Sequence, residues 1–239
     1  MCSKKQRRIQ LKFSKGKKRK KLIHLIAHMN PMLPITEQYR QIRTSIQFSS
    51  VDKTIKSIVL ASAQSGEGKS TTASNLAIVL AQQGNQVLLV DADLRKPSIH
   101  YAFRVSNIDG LTNVLTKEVE LDSAIKQTDI HNLSLLTSGA KPPNPSEILS
   151  SNSMETLMGK LKEMFDFVIY DTPPALAVTD SQVLANKCDG VILVVASGKT
   201  NRELALKSLD VLKQARAHIL GAVVNGIELS KKEYYREYK

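Results

Sequence analysis

A chain of 239 residues makes one large or two small domains, and a hydrophobic share of 42% excludes wholesale disorder. Two cysteines, Cys2 and Cys188, exclude a disulfide framework, and no run approaches the roughly 18 apolar residues of a membrane-crossing helix. The net charge of +12 is concentrated in residues 1–21, which hold eleven Lys or Arg and no acid, leaving 23 basic against 22 acidic side chains elsewhere.

That asymmetry describes a basic tail on a nearly neutral body, and it argues against a nucleic-acid-binding surface on the folded part. The basic run leads into only a short apolar patch at 22–29, so no signal peptide is expected and the cytosol is the default compartment. In chain order, residues 1–30 read as a flexible arm, 31–230 as the folded body and 231–239 as a loose polar tail. Pro31 and Pro34 read as helix breakers, and Thr36 as the N-cap of a helix over 36–48 with Tyr39, Ile42 and Ile46 on its inner stripe. Glu37, Arg40 and Arg43 fall off that stripe, toward the outside.

From residue 57 strands and helices alternate. Strands are expected at 57–61, 86–90, 133–136, 167–170, 190–195 and 219–224, and helices at 69–83, 121–127, from 146 onward, 180–186 and 201–215. Runs of Val, Ile and Leu without alternation suit strands buried on both faces. With helical crossovers between them, the expectation is one doubly wound α/β domain with a mostly parallel sheet.

The strongest chemical signal is Ala63-Gln64-Ser65-Gly66-Glu67-Gly68-Lys69-Ser70, between the first strand and its helix. Gly66 and Gly68 let the backbone curl so that N–H groups point at one anion, and the following helix adds its positive end. Lys69 can reach β- and γ-phosphates, and Ser70 can place its hydroxyl on Mg²⁺. Ala63 stands where the P-loop pattern has its first glycine, so this is a deviant Walker A motif. Strand, loop, GKS and helix in that order make an ordinary glycine-rich turn a poor explanation. Acidic partners stand just past two strands: Asp91 and Asp93, followed by Arg95, and Asp171. Each Asp alone could be a helix N-cap; all three at strand ends that open onto one crevice point to a nucleotide and its metal.

The P-loop, the VDADLRKP segment at 90–97 and the IYDTPP segment at 169–174 resemble the bacterial tyrosine kinases, P-loop enzymes with Walker A, A′ and B motifs. The resemblance extends over about 30–239. It takes in a proline-rich loop at 139–147, an E-x-x-R-x-x-R motif made by Glu37, Arg40 and Arg43, and the terminal Tyr234, Tyr235 and Tyr238. Half of the six tyrosines lie in the last six residues, where a mobile phenol can reach a γ-phosphate.

The resemblance implies an ATP- and Mg²⁺-dependent protein-tyrosine kinase that autophosphorylates Tyr234, Tyr235 and Tyr238, acts on other tyrosine-bearing proteins and regulates capsule or exopolysaccharide synthesis and export. Ser65, Gly66, Glu67, Gly68, Lys69, Ser70 and Thr71 would bind the phosphates. Ser70, Asp93 and Asp171 would serve the metal, Asp91 the tyrosine proton, and Arg95 a phosphate or the carboxylates. Asn225 is an adenine contact or, equally, a strand-end turn residue. Glu37, Arg40 and Arg43 would bridge subunits of a homo-oligomeric ring; a solvated face with weak ion pairs is the plainer alternative. The resemblance to split forms of the family implies a separate transmembrane activator and a place at the inner face of the cell membrane. Residues 4–21 would contact anionic lipid at about 1 kcal/mol per basic side chain, although a nucleic acid or mere solvent would suit the same charges. Two rival functions remain: a ParA/MinD-type positioning ATPase, whose second loop lysine is Gln64 here, and an ATP-regulated scaffold.

Overall fold

The computed structural model describes residues 23–49 and 54–227. The basic run at 1–21 and Tyr234, Tyr235 and Tyr238 lie outside them. Helices α1 (Ile26–Met29) and α2 (Pro34–Phe48) precede β1 (Ser57–Ser62), and α3 (Lys69–Ala81) leads to β2 (Val87–Asp91). Short helices α4 (Ile99–Phe103), α5 (Leu111–Leu115) and α6 (Leu121–Ala124) bring the chain to β3 (Ile125–Gln127) and β4 (Leu133–Leu136). Then come α7 (Pro145–Ser150), α8 (Asn152–Met164), β5 (Phe167–Asp171), α9 (Asp180–Lys187), β6 (Gly190–Ala196), α10 (Arg202–Gln214) and β7 (Ile219–Asn225).

The seven strands form one sheet in the order β3-β4-β2-β5-β1-β6-β7. Every pairing is parallel except β3 with β4. The central strands are apolar throughout because both faces are covered. In β1, Ile58 and Leu60 enter one core with Ala27, Tyr39 and Leu76, while Val59 and Ala61 enter the other with Met154, Leu161 and Leu184. Helices α1, α2 and α3 thus cover one face, and α8 and α9 the other. Burying each such aliphatic side chain contributes about 1.5–3 kcal/mol, which fixes the register: a slip of one residue would exchange the two cores.

Four local expectations change. Pro34 opens α2 rather than breaking the chain, because proline at the first helical turn lacks only an N–H that would go unpaired there. Thr36 lies inside α2, buried, with its hydroxyl donated to the Asn30 carbonyl at 2.9 Å. The helix expected at 121–127 stops at Ala124, where Ile125 turns extended and 125–127 pair with the edge of β4. Residues 23–29, assigned to the arm, include α1, which is tied to α3: Ala27 N–H donates to Asn75 Oδ1 at 2.9 Å, and Asn75 Nδ2 to the His24 carbonyl at 2.8 Å.

Candidate active site

The site lies at the carboxyl ends of β1, β2 and β5. The β2–β5 register sets Asp91 directly beside Asp171, and the β1–β5 register sets Leu60 on the other side of Asp171. Strand alternation aims both carboxylates at the face carrying α3, since Leu89 and Ile169, two residues earlier, belong to the α3-side core. Lys69, the first residue of α3, meets them there: its ammonium is ion-paired with Asp171 Oδ1, both side chains being buried.

The phosphate loop is shaped by two glycines in left-handed conformations, Gly66 at φ +84° and Gly68 at φ +92°. Gly68 is the N-cap of α3, and no side chain caps the helix. Its first N–H groups therefore remain available to an anion, with the helix dipole behind them. Ser65 and Gly66 form the exposed crown; Ser70 and Thr71 are half-buried in the first turn. Ala63 is buried beneath the loop, so the deviant position adds a methyl group to the core.

The loop is braced from three sides. Ser62 Oγ donates to the Gln64 carbonyl at 3.0 Å, and the buried Glu67 carboxylate accepts the Gln64 N–H at 3.1 Å and the Thr200 hydroxyl at 2.5 Å. Asn225 Nδ2 donates to the Glu67 carbonyl at 3.0 Å. This places Asn225 against the loop, with one of its two amide N–H donors on the Glu67 carbonyl.

The acidic residues differ in environment. Asp91 is fully buried, with Oδ2 accepting from Ser98 N–H at 3.0 Å and Ile99 N–H at 3.1 Å and Oδ1 from Asp93 N–H at 3.3 Å. Burial first, and then the neighbouring Asp171 charge, push its pKa up to about 7 against the pull of those amides. Burial likewise raises Asp171, with Lys69 and then Ser70 opposing it and the Asp93 charge adding to it. Asp171 Oδ2 is buried without a hydrogen-bond partner. Asp93 is partly open to solvent and is steadied by the N–H groups of Lys96 at 2.9 Å and Arg95 at 3.3 Å.

These donors fit a divalent cation bound together with phosphates. An orphaned carboxylate oxygen sits beside the lysine, and Asp93 is close enough for its charge to act on both buried acids. Among the described residues no group of three or more His, Cys, Asp or Glu could hold a metal alone. A Mg²⁺ shared with phosphate oxygens and waters needs no such cage.

Arg95 is directed elsewhere. Its Nε and Nη2 bind both oxygens of Asp180, at 2.9 and 3.0 Å, and Nη2 also donates to Ser146 Oγ at 3.0 Å. Ser146 in turn donates to Asp180 Oδ1 at 2.6 Å. It thereby joins the Asp93 segment to α7 and to the start of α9. Asp180, fully buried, and Thr200 are the residues that sequence reasoning missed. Asp180 follows Thr179 at a helix start and reads there as a capping residue; nothing local marks Thr200.

On α2, Arg40 pairs with Glu37 at 2.9 Å and donates to the Pro31 carbonyl at 3.0 Å. Arg43 does not point away from the body. Its Nη1 donates to the Val79 carbonyl of α3 at 2.9 Å, supplying a cation to that helix's C-terminal turn.

The AAA domain family matches residues 55–219. The tyrosine-protein kinase YwqD of Bacillus subtilis (strain 168) is 50% identical over 215 residues, covering 90% of this chain and 91% of YwqD. The chain belongs to the bacterial tyrosine-protein kinases. A crystal structure of the chimeric protein CapA2B2 is similar at TM-score 0.83 and 40% identity, over 86% of this chain and 90% of that one. The kinase domain of Escherichia coli ETK is equally similar in structure, at TM-score 0.83 and 34% identity over 92% of this chain and 87% of that one. Against the whole of E. coli (strain K12) Etk, identity is 37% over 210 residues, 87% of this chain and 29% of Etk. The Pyrococcus horikoshii septum site-determining protein MinD is more distant, at TM-score 0.62 and 27% identity over 74% of this chain and 72% of that one. The protein is thus a nucleotide-binding tyrosine kinase with a doubly wound P-loop fold, and the positioning-ATPase reading is left as a distant relation. No helix among the described residues is long and apolar enough to cross a membrane.

Proposed function

We propose that this kinase transfers the γ-phosphoryl of ATP to tyrosines, its own Tyr234, Tyr235 and Tyr238 among them, and so controls capsule or exopolysaccharide synthesis and export. The observation that carries this reading is the meeting of Lys69, Asp91 and Asp171 at adjacent strand ends below an uncapped helix N-terminus. Lys69 exchanges Asp171 for the β/γ-phosphates, and the 65–71 backbone holds them in line. Ser70, Asp93 and Asp171 hold Mg²⁺, which when bound neutralises charge on the transferred group. Asp91, near neutral acidity, accepts the tyrosine proton. Arg95 acts by positioning, through Asp180 and Ser146.

A separate transmembrane activator complements the chain. Support comes from Etk, of which this chain corresponds to only 29%. Subunits associate in a ring through Glu37, Arg40 and Arg43, and the basic residues at 4–21 hold the assembly against anionic lipid at the inner face of the membrane. Phosphotyrosine mass spectrometry after incubation with ATP–Mg²⁺, with and without an activator segment, tests the core of this reading. Phosphate is expected on the terminal tyrosines. Lys69→Met should lower it by about 100-fold or more, and a triple Tyr→Phe tail should abolish the tail signal. ATP hydrolysis without phosphotyrosine, activator present, would overturn the tail assignment.

A further inference from the structure

We propose that Thr200 and Asn225 are positioning residues for the phosphate loop, acting together through Glu67. The inference rests on residues 63–70 being the phosphate site. Glu67 is an odd occupant of such a loop: a carboxylate, only 4% exposed, in a turn built to receive anionic phosphates. Left free, it would repel them.

Thr200 holds it away. The Thr200 oxygen accepts the Ala196 N–H at 2.9 Å, so its single proton is directed to Glu67 Oε1 at 2.5 Å, a short charge-assisted bond. The other carboxylate oxygen takes the Gln64 N–H. Asn225 grips the same residue from its main chain, through the Glu67 carbonyl. The two anchors share one support: Ala196 and Asn225 are register partners at the ends of β6 and β7, and the Asn225 carbonyl accepts Ser197 N–H at 2.8 Å. Gly68 completes the fit, since a Cβ there would lie 1.7 Å from Asn225 Nδ2. The loop's N–H groups are thereby aimed before any nucleotide arrives, and the aim is set by strands that carry none of the catalytic carboxylates.

A clamp of this kind acts on phosphate recognition and is indifferent to the base. Calorimetric binding of ATP–Mg²⁺ and of tripolyphosphate–Mg²⁺ separates it from base reading. Thr200→Val and Asn225→Ala should each weaken both ligands by the same factor, about tenfold. Thr200→Ser, which keeps the hydroxyl, should bind as wild type does. In a Glu67→Ala background Thr200→Val should have no further effect. Three results overturn the clamp: tripolyphosphate binding unchanged by Asn225→Ala while ATP binding falls, equal losses in the Ser and Val variants, or an undiminished Thr200→Val effect without Glu67. Melting temperatures of the ligand-free variants identify any loss due to unfolding. A wild-type chain that binds neither ligand would remove the phosphate-site reading itself, and the clamp with it.

Discussion

Asp91 shows how placement sets chemistry at the scale of one residue. Its carboxyl is buried beside a second buried carboxyl, and three backbone N–H groups only partly offset the loss of water. A folded-state pKa of about 7 lies above the unfolded value of about 3.9. The folded chain therefore keeps a proton that the unfolded chain has lost between those values. This group's contribution to stability is fully present below pH about 4 and is lost as pH rises through about 7. Asp91→Asn should raise the melting temperature more at pH 8 than at pH 5, measured on the full chain without nucleotide. An equal difference at the two pH values would show that Asp91 titrates normally. Arg95 makes a different point: a guanidinium placed by the sequence among acidic residues is claimed by the one carboxylate, Asp180, whose two oxygens it can hold together.

At the scale of elements, the β1–loop–α3 unit depends on two glycines for unlike reasons. Both Gly66 and Gly68 have positive φ, where an L side chain costs roughly 1–2 kcal/mol. A Cβ on Gly66 would project into open space, whereas one on Gly68 would collide with the Asn225 amide. Gly66→Ala should accordingly keep nucleotide binding within about tenfold of wild type, its cost being backbone strain alone. Gly68→Ala should lose at least a further tenfold, because Asn225 or the loop must move. Comparable losses would show that the collision is relieved at no cost. Helix α3 is also where α2 is held: Arg43 reaches the Val79 carbonyl and Asn75 ties down α1.

At the scale of the whole molecule, the proposed ring and this internal packing draw on the same three residues of α2. Glu37 and Arg40 make a half-exposed pair, worth about 0–1 kcal/mol to the folded chain. Glu37→Ala with Arg40→Ala should therefore lower the mass of the assembly seen by light scattering while barely moving the melting temperature. Arg43→Ala should lower the melting temperature as well, since it uncaps a helix carbonyl at a cost of about 1 kcal/mol. An assembly mass unaffected by either variant would exclude α2 from the subunit contact.

The sequence by itself determined the doubly wound sheet, the phosphate loop and the acidic strand ends. Apolar runs such as 57–62 and 87–91 need two covered faces, and Gly66, Gly68, Lys69 and Ser70 state their chemistry within a few residues. Only the tertiary structure decided which groups meet. The Asp91–Asp171 pairing depends on β5 lying between β1 and β2, 80 residues along the chain from Asp91. The bonds from Thr200 and Asn225 to Glu67 span 133 and 158 residues. Arg95 with Asp180, and Arg43 with Val79, were equally hidden, because local spacing says where a side chain sits on its own element and nothing of what the next element brings against it. The split of 121–127 into a helix and an edge strand has the same cause: a seven-residue pattern is too short to choose, and an unpaired edge of β4 chose for it.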